Sequence, residues 1–503
     1  MAVDLILAFV CGALMCLTLA PPGPCWLAWF SLAPLFRFWR RGNWRQAMLI
    51  GLAAGLGYQS VFLYSWVYAA YRLASMPMVG LLVWGASGLF LALNWAIIGA
   101  LGRLLAEGRG ALRPWAWAAL WTAVTFFSER WTPRPCADIL GYTQWRYLPL
   151  LQASSLVGPH FLGFLIVAAN AILEDIWARP TARTPQAAAN LAAALALLAG
   201  TWAYGIFALA RRGSPGPAAR VEILQTAVDQ RHKSEVRYRN DILFGFDELL
   251  SRPRAAPPAL VIWPETCIPY EVRVDWAPEK ASAWSRRLGA FQIVGAATRE
   301  DRVLRNSALL VSPSGELAGA YHKRVLVPFW EFEPLGSLSR FIGSRDPLSE
   351  LTAGAPVQPL FELPFGRAAA SICYETTFPR LARADAARGA RLLVNITNDV
   401  WFKGSWEPHQ HFWASAFRAI ENRMTVLICT NCGISGAIDP WGVVLARQDT
   451  LARGRLDVAV PLRDAFPQGS FYARHGDWFG TLCLLASGML AALAFQKKRR
   501  TNS

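Results

Sequence analysis

Long apolar runs are concentrated in residues 1–211 and in 477–495 of this chain, whereas 212–476 have the mixed composition of a soluble domain. A helix needs about 20 mostly apolar residues to cross the hydrocarbon core of a membrane. The sequence therefore predicts an α-helical membrane domain joined to a soluble domain. The eight predicted spans are 3–20, 24–38, 48–70, 78–105, 115–128, 153–172, 188–210 and 478–495.

The composition agrees with a membrane protein. Hydrophobic residues make up 54% of the chain and charged residues 17%, whereas soluble domains have roughly 25% charged residues. The net charge is +16, which suits either nucleic acid or an anionic membrane surface. Because the basic residues lie largely in loops between apolar runs, we expect no nucleic-acid partner. The nine cysteines are too few for a disulfide scaffold.

The basic clusters predict an orientation in the membrane. Arginines and lysines recur in alternate loops, at 37–45, 103–113 and 179–183, and at the C-terminus in 497–500. Such clusters stay on the cytoplasmic side, so both termini are expected in the cytoplasm and the soluble segment outside it. The predicted domains are 1–211 with seven spans, 212–476, and 477–503 with the last span. The alternative, a cytoplasmic soluble domain, requires an even number of spans before it when the N-terminus is cytoplasmic.

The soluble segment has the pattern of an α/β domain. Short apolar runs alternate with helix-length stretches, which is typical of buried strands between helices. The predicted strands are 221–224, 259–263, 291–296, 307–311, 368–373, 392–396 and 426–429, and the predicted helices include 241–251, 278–288 and 407–423.

Three predicted strands end near residues that could carry chemistry. Glu265 follows the run ALVIW, Lys323 follows Tyr-His, and Cys373 follows Ser-Ile. A thiolate attacks a carbonyl, a carboxylate carries its proton, and an ammonium stabilises the oxyanion, so together they suit acyl transfer. The backbone N–H of Tyr374 is a candidate second oxyanion donor. The spacing alone does not show that these residues meet.

Other residues offer competing interpretations. Cys267 is an alternative nucleophile close to Glu265. Cys429 and Cys432 form a C-x-x-C pair, for which we favour a structural role over redox or metal chemistry. The pair His409 and His411 could bind a metal, but a structural helix role is favoured.

At these positions the sequence resembles the nitrilase superfamily, and within it the apolipoprotein N-acyltransferases of bacterial envelopes. The resemblance rests on VIWPETCIPY, YHKRVLVPFWEFEPL, SICYET, LLVNITNDVWF, RAIENRMTV and FYARHGDW. It covers nearly the whole chain and implies a nitrilase-like αββα sandwich on the extracytoplasmic side of the membrane.

The resemblance also implies roles for single residues. Glu265 would be the general base, Lys323 would stabilise the tetrahedral intermediate, and Cys373 would be the nucleophile. Glu331 and Glu375 would support the site. The donor would be a membrane phospholipid, and the acceptor would be the α-amine of a diacylglyceryl-cysteine on an apolipoprotein. No metal or diffusible cofactor is implied. We expect a monomer in the bacterial inner membrane with its catalytic domain in the periplasm.

Three positions depart from the family pattern. Residues 225–238 lack the expected Trp, Trp330 replaces a Gly, and Cys432 replaces an Asn. The sequence leaves two other functions open: a membrane-tethered amidase that uses water as acceptor, and a transporter or scaffold without catalysis.

Overall fold

The computed structural model describes residues 1–19, 23–65, 67, 77–132, 138–178, 185–213, 216–328, 330–332, 351–461, 466 and 468–502. These residues form two compact units, Met1–Arg212 with Ser470–Ser503, and Gly213–Gly469. Part of the predicted span 48–70 and the loop residues Arg179 and Arg183 lie outside the described residues.

The first unit is built from helices. They are Ala2–Leu17, Ala33–Arg41, Trp44–Phe62, Pro77–Leu105, Arg113–Trp131, Leu148–Leu151, Ser154–Val157, His160–Ala178, Pro185–Ala210, Phe471–His475 and Trp478–Asn502. Glycines allow some of them to pack closely: a Cβ at Gly12 would overlap the backbone of Ala54, and one at Gly51 would overlap that of Trp95. Small residues play this part in helix packing within membranes.

In the described residues, four helical segments are long and apolar enough to cross a membrane. They are Trp84–Leu105, His160–Ala178, Pro185–Ala210 and Trp478–Gln496. Two of the eight predicted spans are not single helices. The span 153–172 is interrupted at Gly158, which has a φ of 79°, and at Pro159, which has no N–H to continue a helix. The count of eight spans therefore stays a prediction.

The predicted span 24–38 is also divided, and a distant side chain supports the break. A 3₁₀ helix, Cys25–Trp29, precedes the helix Ala33–Arg41. The side chain of Asn170 accepts a hydrogen bond from the N–H of Leu32 over 2.8 Å and donates to the carbonyl of Ala28 over 2.9 Å. Backbone groups exposed by the break are thus satisfied by a residue of another helix.

A largely buried ion cluster joins three chain segments of the helical unit. Arg113 contacts Glu174 over 2.9 Å and Asp175 over 3.0 Å, and Arg40 contacts Glu174 over 3.0 Å. The sequence predicts Arg40 and Arg113 in loops and both acids at the end of a span. Because the four side chains meet, these chain segments lie at the same end of the helical unit.

The second unit contains thirteen strands within its described residues. They are β1 (Ala218–Gln225), β2 (Leu260–Ile262), β3 (Val272–Arg273), β4 (Phe291–Glu300), β5 (Val303–Val311), β6 (Leu317–His322), β7 (Phe361–Leu363), β8 (Gly366–Ile372), β9 (Leu392–Thr397), β10 (Thr425–Thr430), β11 (Ser435–Ile438), β12 (Val444–Gln448) and β13 (Gly454–Pro461). Its helices include Gln230–Ser234, Arg239–Ser251, Glu279–Leu288, Pro379–Ala387 and Glu407–Asn422. Each of the seven apolar runs predicted as strands overlaps one of these strands.

The strands form two sheets that pack face to face. One has the order β13-β1-β2-β4-β5-β6 with β3 paired to β4, and the other has the order β12-β11-β10-β9-β8-β7. A shared apolar core between them includes Ile262 and Ile293 of the first sheet and Ile372 and Val394 of the second. A second core joins the first sheet to the helices Arg239–Ser251 and Glu279–Leu288 through residues such as Phe246 and Trp284. This layering is the α/β sandwich expected from the sequence.

The carboxyl ends of the parallel strands meet where the predicted site residues follow. β8, β9 and β10 are parallel neighbours, with Ile372 paired to Ile396 and Thr397 paired to Thr430. The thiol of Cys429 in β10 lies 3.3 Å from the carbonyl oxygen of Ile262 in β2. Ligands of α/β folds bind at such carboxyl ends, so a site is expected in this region.

Candidate active site

Glu265 lies just beyond β2 in a tightly packed turn. Its side chain is buried, and Oε1 accepts a hydrogen bond from the amide of Asn306 over 2.7 Å. The next residue, Thr266, has a φ of 45°. A Cβ at Gly295 would lie 2.7 Å from the Cα of Glu265, so only glycine lets β4 approach this turn. Burial raises the pKa of Glu265 above its usual value, as does Glu331, while Lys323 lowers it.

Lys323 follows β6 and points at two carboxylates. Its backbone N–H donates to the carbonyl of Asn306 over 2.8 Å. Its ammonium donates to Oε1 of Glu331 over 2.7 Å and lies 3.6 Å from Oε1 of Glu265. Burial alone would lower the pKa of Lys323, but Glu331, Cys373 and Glu265 hold that pKa well above its usual value. The side chain is therefore a fixed buried cation.

Cys373 directly follows β8 in an unusual backbone conformation. Its φ is 57°, a left-handed value that is uncommon for residues other than glycine. Its carbonyl accepts a hydrogen bond from the Asn395 side chain over 3.0 Å. Burial and the charge of Glu265 raise the pKa of the thiol, while the charge of Lys323 lowers it. Glu265 follows β2, Lys323 follows β6 and Cys373 follows β8, and the charges of Glu265 and Lys323 both act on the thiol.

Glu331 and Tyr374, two of the predicted supporting residues, hold the segment that follows Lys323. Glu331 also accepts a hydrogen bond from the N–H of Val327 over 2.8 Å. The hydroxyl of Tyr374 donates to the carbonyl of Leu326 over 2.8 Å, and its ring lies 5.5 Å from the Lys323 ammonium. Both side chains thus link this segment to the rest of the site.

Glu375, the third predicted supporting residue, is buried beneath the turn that carries Cys373. Its carboxylate accepts hydrogen bonds from the N–H groups of Ile372, Arg324 and Val325 and from the hydroxyl of Tyr321, at 2.6 to 2.9 Å. These donors belong to the segments on either side of Cys373 and Lys323. Glu375 therefore fixes the positions of the thiol and the ammonium relative to each other.

Asn306 in β5 was missed by the sequence analysis. Its amide donates to Glu265 and, over 3.4 Å, to Oε1 of Glu331, while its carbonyl accepts the backbone N–H of Lys323. One residue thus contacts all three charged members of the site. Nothing in the sequence around it, such as a motif or a strand end, marked it.

The other cysteines of the soluble unit are buried thiols. Cys267 is 1% exposed, its thiol donates to the carbonyl of Gly295, and burial raises its pKa to about 12. Cys429 and Cys432 are both free thiols, so the C-x-x-C pair forms no disulfide. Burial raises the pKa of Cys432 to about 11.

His411 lies between two carboxylates. One ring nitrogen lies 3.2 Å from Oδ1 of Asp399, and the other lies 2.7 Å from Oε1 of Glu407. These three residues could supply metal ligands, but each nitrogen already faces a different carboxylate. Burial lowers the pKa of His411, yet Glu407 and Asp399 hold that pKa well above its usual value. The arrangement fits an imidazolium held by two hydrogen bonds, and we call it the Asp399–His411–Glu407 cluster.

Comparison with known proteins identifies the family. The family description "Carbon-nitrogen hydrolase" matches residues 184–465, and "Apolipoprotein N-acyltransferase N-terminal domain" matches residues 11–172. The apolipoprotein N-acyltransferase of Geobacter metallireducens is 33% identical over 98% of this chain and 96% of its own length. That of Methylococcus capsulatus is 31% identical over 99% and 97%.

Among solved structures, the NitFhit protein of C. elegans covers 50% of this chain and 62% of its own, with 20% identity and a TM-score of 0.38. The near full-length relatives and the two matched domains, one on each part of the chain, agree with each other. The chain belongs to the apolipoprotein N-acyltransferase family and carries a carbon-nitrogen hydrolase domain.

Proposed function

We propose that this protein moves a fatty acyl chain from a membrane phospholipid to the α-amine of the N-terminal diacylglyceryl-cysteine of a lipoprotein, through a thioester on Cys373. The observation that carries the proposal is the 3.6 Å approach of the Lys323 ammonium to the buried Glu265 carboxylate, with both charges acting on the Cys373 thiol, in a chain of this family. Glu265, Lys323 and Cys373 are the catalytic residues in this proposal.

In the first half-reaction Glu265 removes the proton from the thiol while sulfur attacks the ester carbonyl of the donor. A carboxylate whose pKa is raised by burial can both accept this proton and return it. The ammonium of Lys323 stabilises the oxyanion, and the N–H of Tyr374 is the second donor. Glu265 then protonates the leaving alkoxide, which departs as the alcohol of a lysophospholipid.

In the second half-reaction the amine of the acceptor attacks the thioester. Lys323 again stabilises the oxyanion, and Glu265 carries a proton from the attacking nitrogen to the departing sulfur. The products are an amide and the free thiol of Cys373. The same three groups thus serve both steps, which is what a two-step transfer through one nucleophile requires.

We also propose the placement of the protein in the membrane. Eight spans, with both termini in the cytoplasm, leave the catalytic domain 212–476 on the periplasmic side of the bacterial inner membrane. Basic clusters in alternate loops support this orientation. The buried contacts among Arg40, Arg113 and Glu174, which join three chain segments at one end of the helical unit, are compatible with it. We expect the protein to act as a monomer.

Intact-mass analysis of the purified protein with phospholipid tests the chemistry. We expect an acyl adduct that is lost on treatment with hydroxylamine, which cleaves thioesters. The adduct should be absent from Cys373→Ala and present in Cys267→Ala, because the Cys267 thiol is 1% exposed and already donates a hydrogen bond to the carbonyl of Gly295. An adduct that persists in Cys373→Ala would refute the assignment. Release of free fatty acid without transfer to a lipopeptide would show that water is the acceptor.

A further inference from the structure

The two half-reactions of the proposed function differ in their proton balance. This difference points to a role for a second carboxylate, Asp399, and that role rests on the proposed function. In the first, one proton moves from the thiol of Cys373 to the departing alkoxide. In the second, the acceptor arrives as an ammonium, because an α-amine has a pKa of about 7.7 to 8.0. Its nitrogen must lose two protons to become an amide. Glu265 returns one to the sulfur, so the other needs a different base.

Asp399 is a buried carboxylate near the nucleophile. β8 and β9 are parallel neighbours with Ile372 paired to Ile396, so Cys373 and Asp399 lie one and three residues beyond the last pair. Asp399 is 2% exposed. Its charge is one of the causes that raise the pKa of the Cys373 thiol, after burial and Glu265, which agrees with this proximity.

The two oxygens of this carboxylate have different surroundings. Oδ1 accepts a hydrogen bond from the hydroxyl of Thr397 over 2.8 Å and faces His411. Oδ2 is buried and has no hydrogen-bond partner within the described part of the chain. Gly433, just beyond β10, covers Oδ2 so closely that a Cβ there would overlap it. An unpartnered buried acceptor is costly, and its retention here suggests that it meets a donor during the reaction.

The rest of the Asp399–His411–Glu407 cluster holds Asp399 in place. The ring of His411 lies 3.2 Å from Oδ1 and holds the orientation of the carboxylate. Glu407 fixes the other side of the ring over 2.7 Å. His411 thus has a counter-charge on each side, and Oδ2 of Asp399 is left free.

We propose that Asp399 accepts the surplus proton of the acceptor ammonium in the second half-reaction. An N–H bond of the ammonium breaks, an O–H bond forms at Oδ2, and the proton is later lost to water. The first half-reaction has no surplus proton and does not use this base. The site therefore has one carboxylate for the nucleophile, Glu265, and another for the acceptor.

The test separates the half-reactions in the full-length protein in detergent. A phospholipid with a labelled acyl chain is the donor, and a short lipopeptide with an N-terminal diacylglyceryl-cysteine is the acceptor. In Asp399→Asn, formation of the acyl-enzyme should not be slowed. Transfer to the lipopeptide at pH 6.5 should fall by roughly 15- to 30-fold, because only about 3 to 6% of an α-amine with a pKa of about 7.7 to 8.0 is free at that pH.

The dependence on pH gives a second, independent readout. At pH 9 most of the acceptor is already a free amine, so the defect of Asp399→Asn should shrink to less than about twofold. Equal slowing of both half-reactions, or a defect as large at pH 9 as at pH 6.5, would overturn the inference. If the unsubstituted protein forms no thioester, the proposed function fails, and with it this inference.

A second variant covers the case in which Asp399→Asn does not fold. Gly433→Ala changes no charge but places a methyl group where Oδ2 lies, so it should reproduce the selective loss of transfer. The matched control is Gly216→Ala, because a Cβ at Gly216 has no atom within 4 Å. Loss of acyl-enzyme formation in a folded Gly433→Ala protein would contradict the inference.

Discussion

The ammonium of Lys323 lies closer to Glu331, at 2.7 Å, than to Glu265, at 3.6 Å. Glu331 is thus the main partner of this cation in the resting site, and it leaves Glu265 available to carry a proton. Lys323 is 1% exposed, so its charge depends on these carboxylates.

The substitution Glu331→Gln should lower the rate of acyl-enzyme formation by roughly 10- to 100-fold, which corresponds to the loss of one hydrogen bond to a charged group. Glu331 raises the pKa of Lys323 against burial, so its removal lowers that pKa. The basic limb of the pH profile for acyl-enzyme formation should therefore move to lower pH. The exposed Glu362→Gln is the control, and an unmoved basic limb would contradict this role.

Asn306→Ala should shift the acidic limb of the pH profile for acyl-enzyme formation. Burial raises the pKa of Glu265, and the hydrogen bond from Asn306 lowers it. Without the amide the pKa rises further, so the acidic limb moves to higher pH and acyl-enzyme formation falls more at pH 6 than at pH 8. Rates measured at both pH values check this, with the exposed Asn240→Ala as control. An equal loss at both would indicate a purely structural role.

Glu265→Gln should have opposite effects on two reactions of Cys373. Acyl-enzyme formation should fall by about 10²- to 10⁴-fold, because the proposed general base is lost. Burial and then Glu265 raise the pKa of the thiol, so removing the carboxylate lowers that pKa. Alkylation of Cys373 by iodoacetamide at pH 8, followed by peptide mass spectrometry, should become faster. Slower alkylation would show that Glu265 does not act on the thiol as described.

Arg418→Met should destabilise the soluble unit. The side chains of Arg418 and Glu421 are fully buried, and Nη2 of Arg418 lies 2.6 Å from Oε1 of Glu421. Removal of one partner from such a pair costs about 3 to 5 kcal/mol of folding stability. The midpoint of denaturant unfolding of the purified protein measures the loss. Arg299→Met, which breaks an exposed pair with Glu271, is the matched control and should cost about 1 kcal/mol or less. Similar losses in both variants would contradict the prediction.

Sequence patterns predicted the strands well because buried parallel strands are continuous apolar runs. The run at β9, 392–396, shows this most directly. The helical unit was harder to predict. Gly158 and Pro159 signal in the sequence itself that the span 153–172 is interrupted, although apolar residues surround them. The break before Ala33 has a local signal in Pro34, which lies in the first turn of the next helix, but its support by Asn170 on a distant helix could not be predicted.

The candidate site divides in the same way. Glu265, Lys323 and Cys373 each follow a recognisable run or motif, so each could be proposed from the sequence, although only the fold brings them together. Asn306 lies within β5, and its amide reaches two carboxylates only because β5 pairs with β6 and lies near the turn after β2. Asp399 lies in the quoted stretch NDVWF. The sequence does not show that its Oδ2 is buried without a partner, because the residue that covers this oxygen, Gly433, is more than thirty residues away.

The left-handed backbone of Cys373 has a consequence for the history of the family. A residue other than glycine in this conformation costs of order 1 kcal/mol or more. Here the residue with the strained backbone is the proposed nucleophile. Selection for acyl transfer would keep cysteine at this position, whereas relaxed selection would favour glycine. Among paralogues that retain the fold, a glycine at the position of Cys373 should therefore mark lineages in which catalysis has been abandoned.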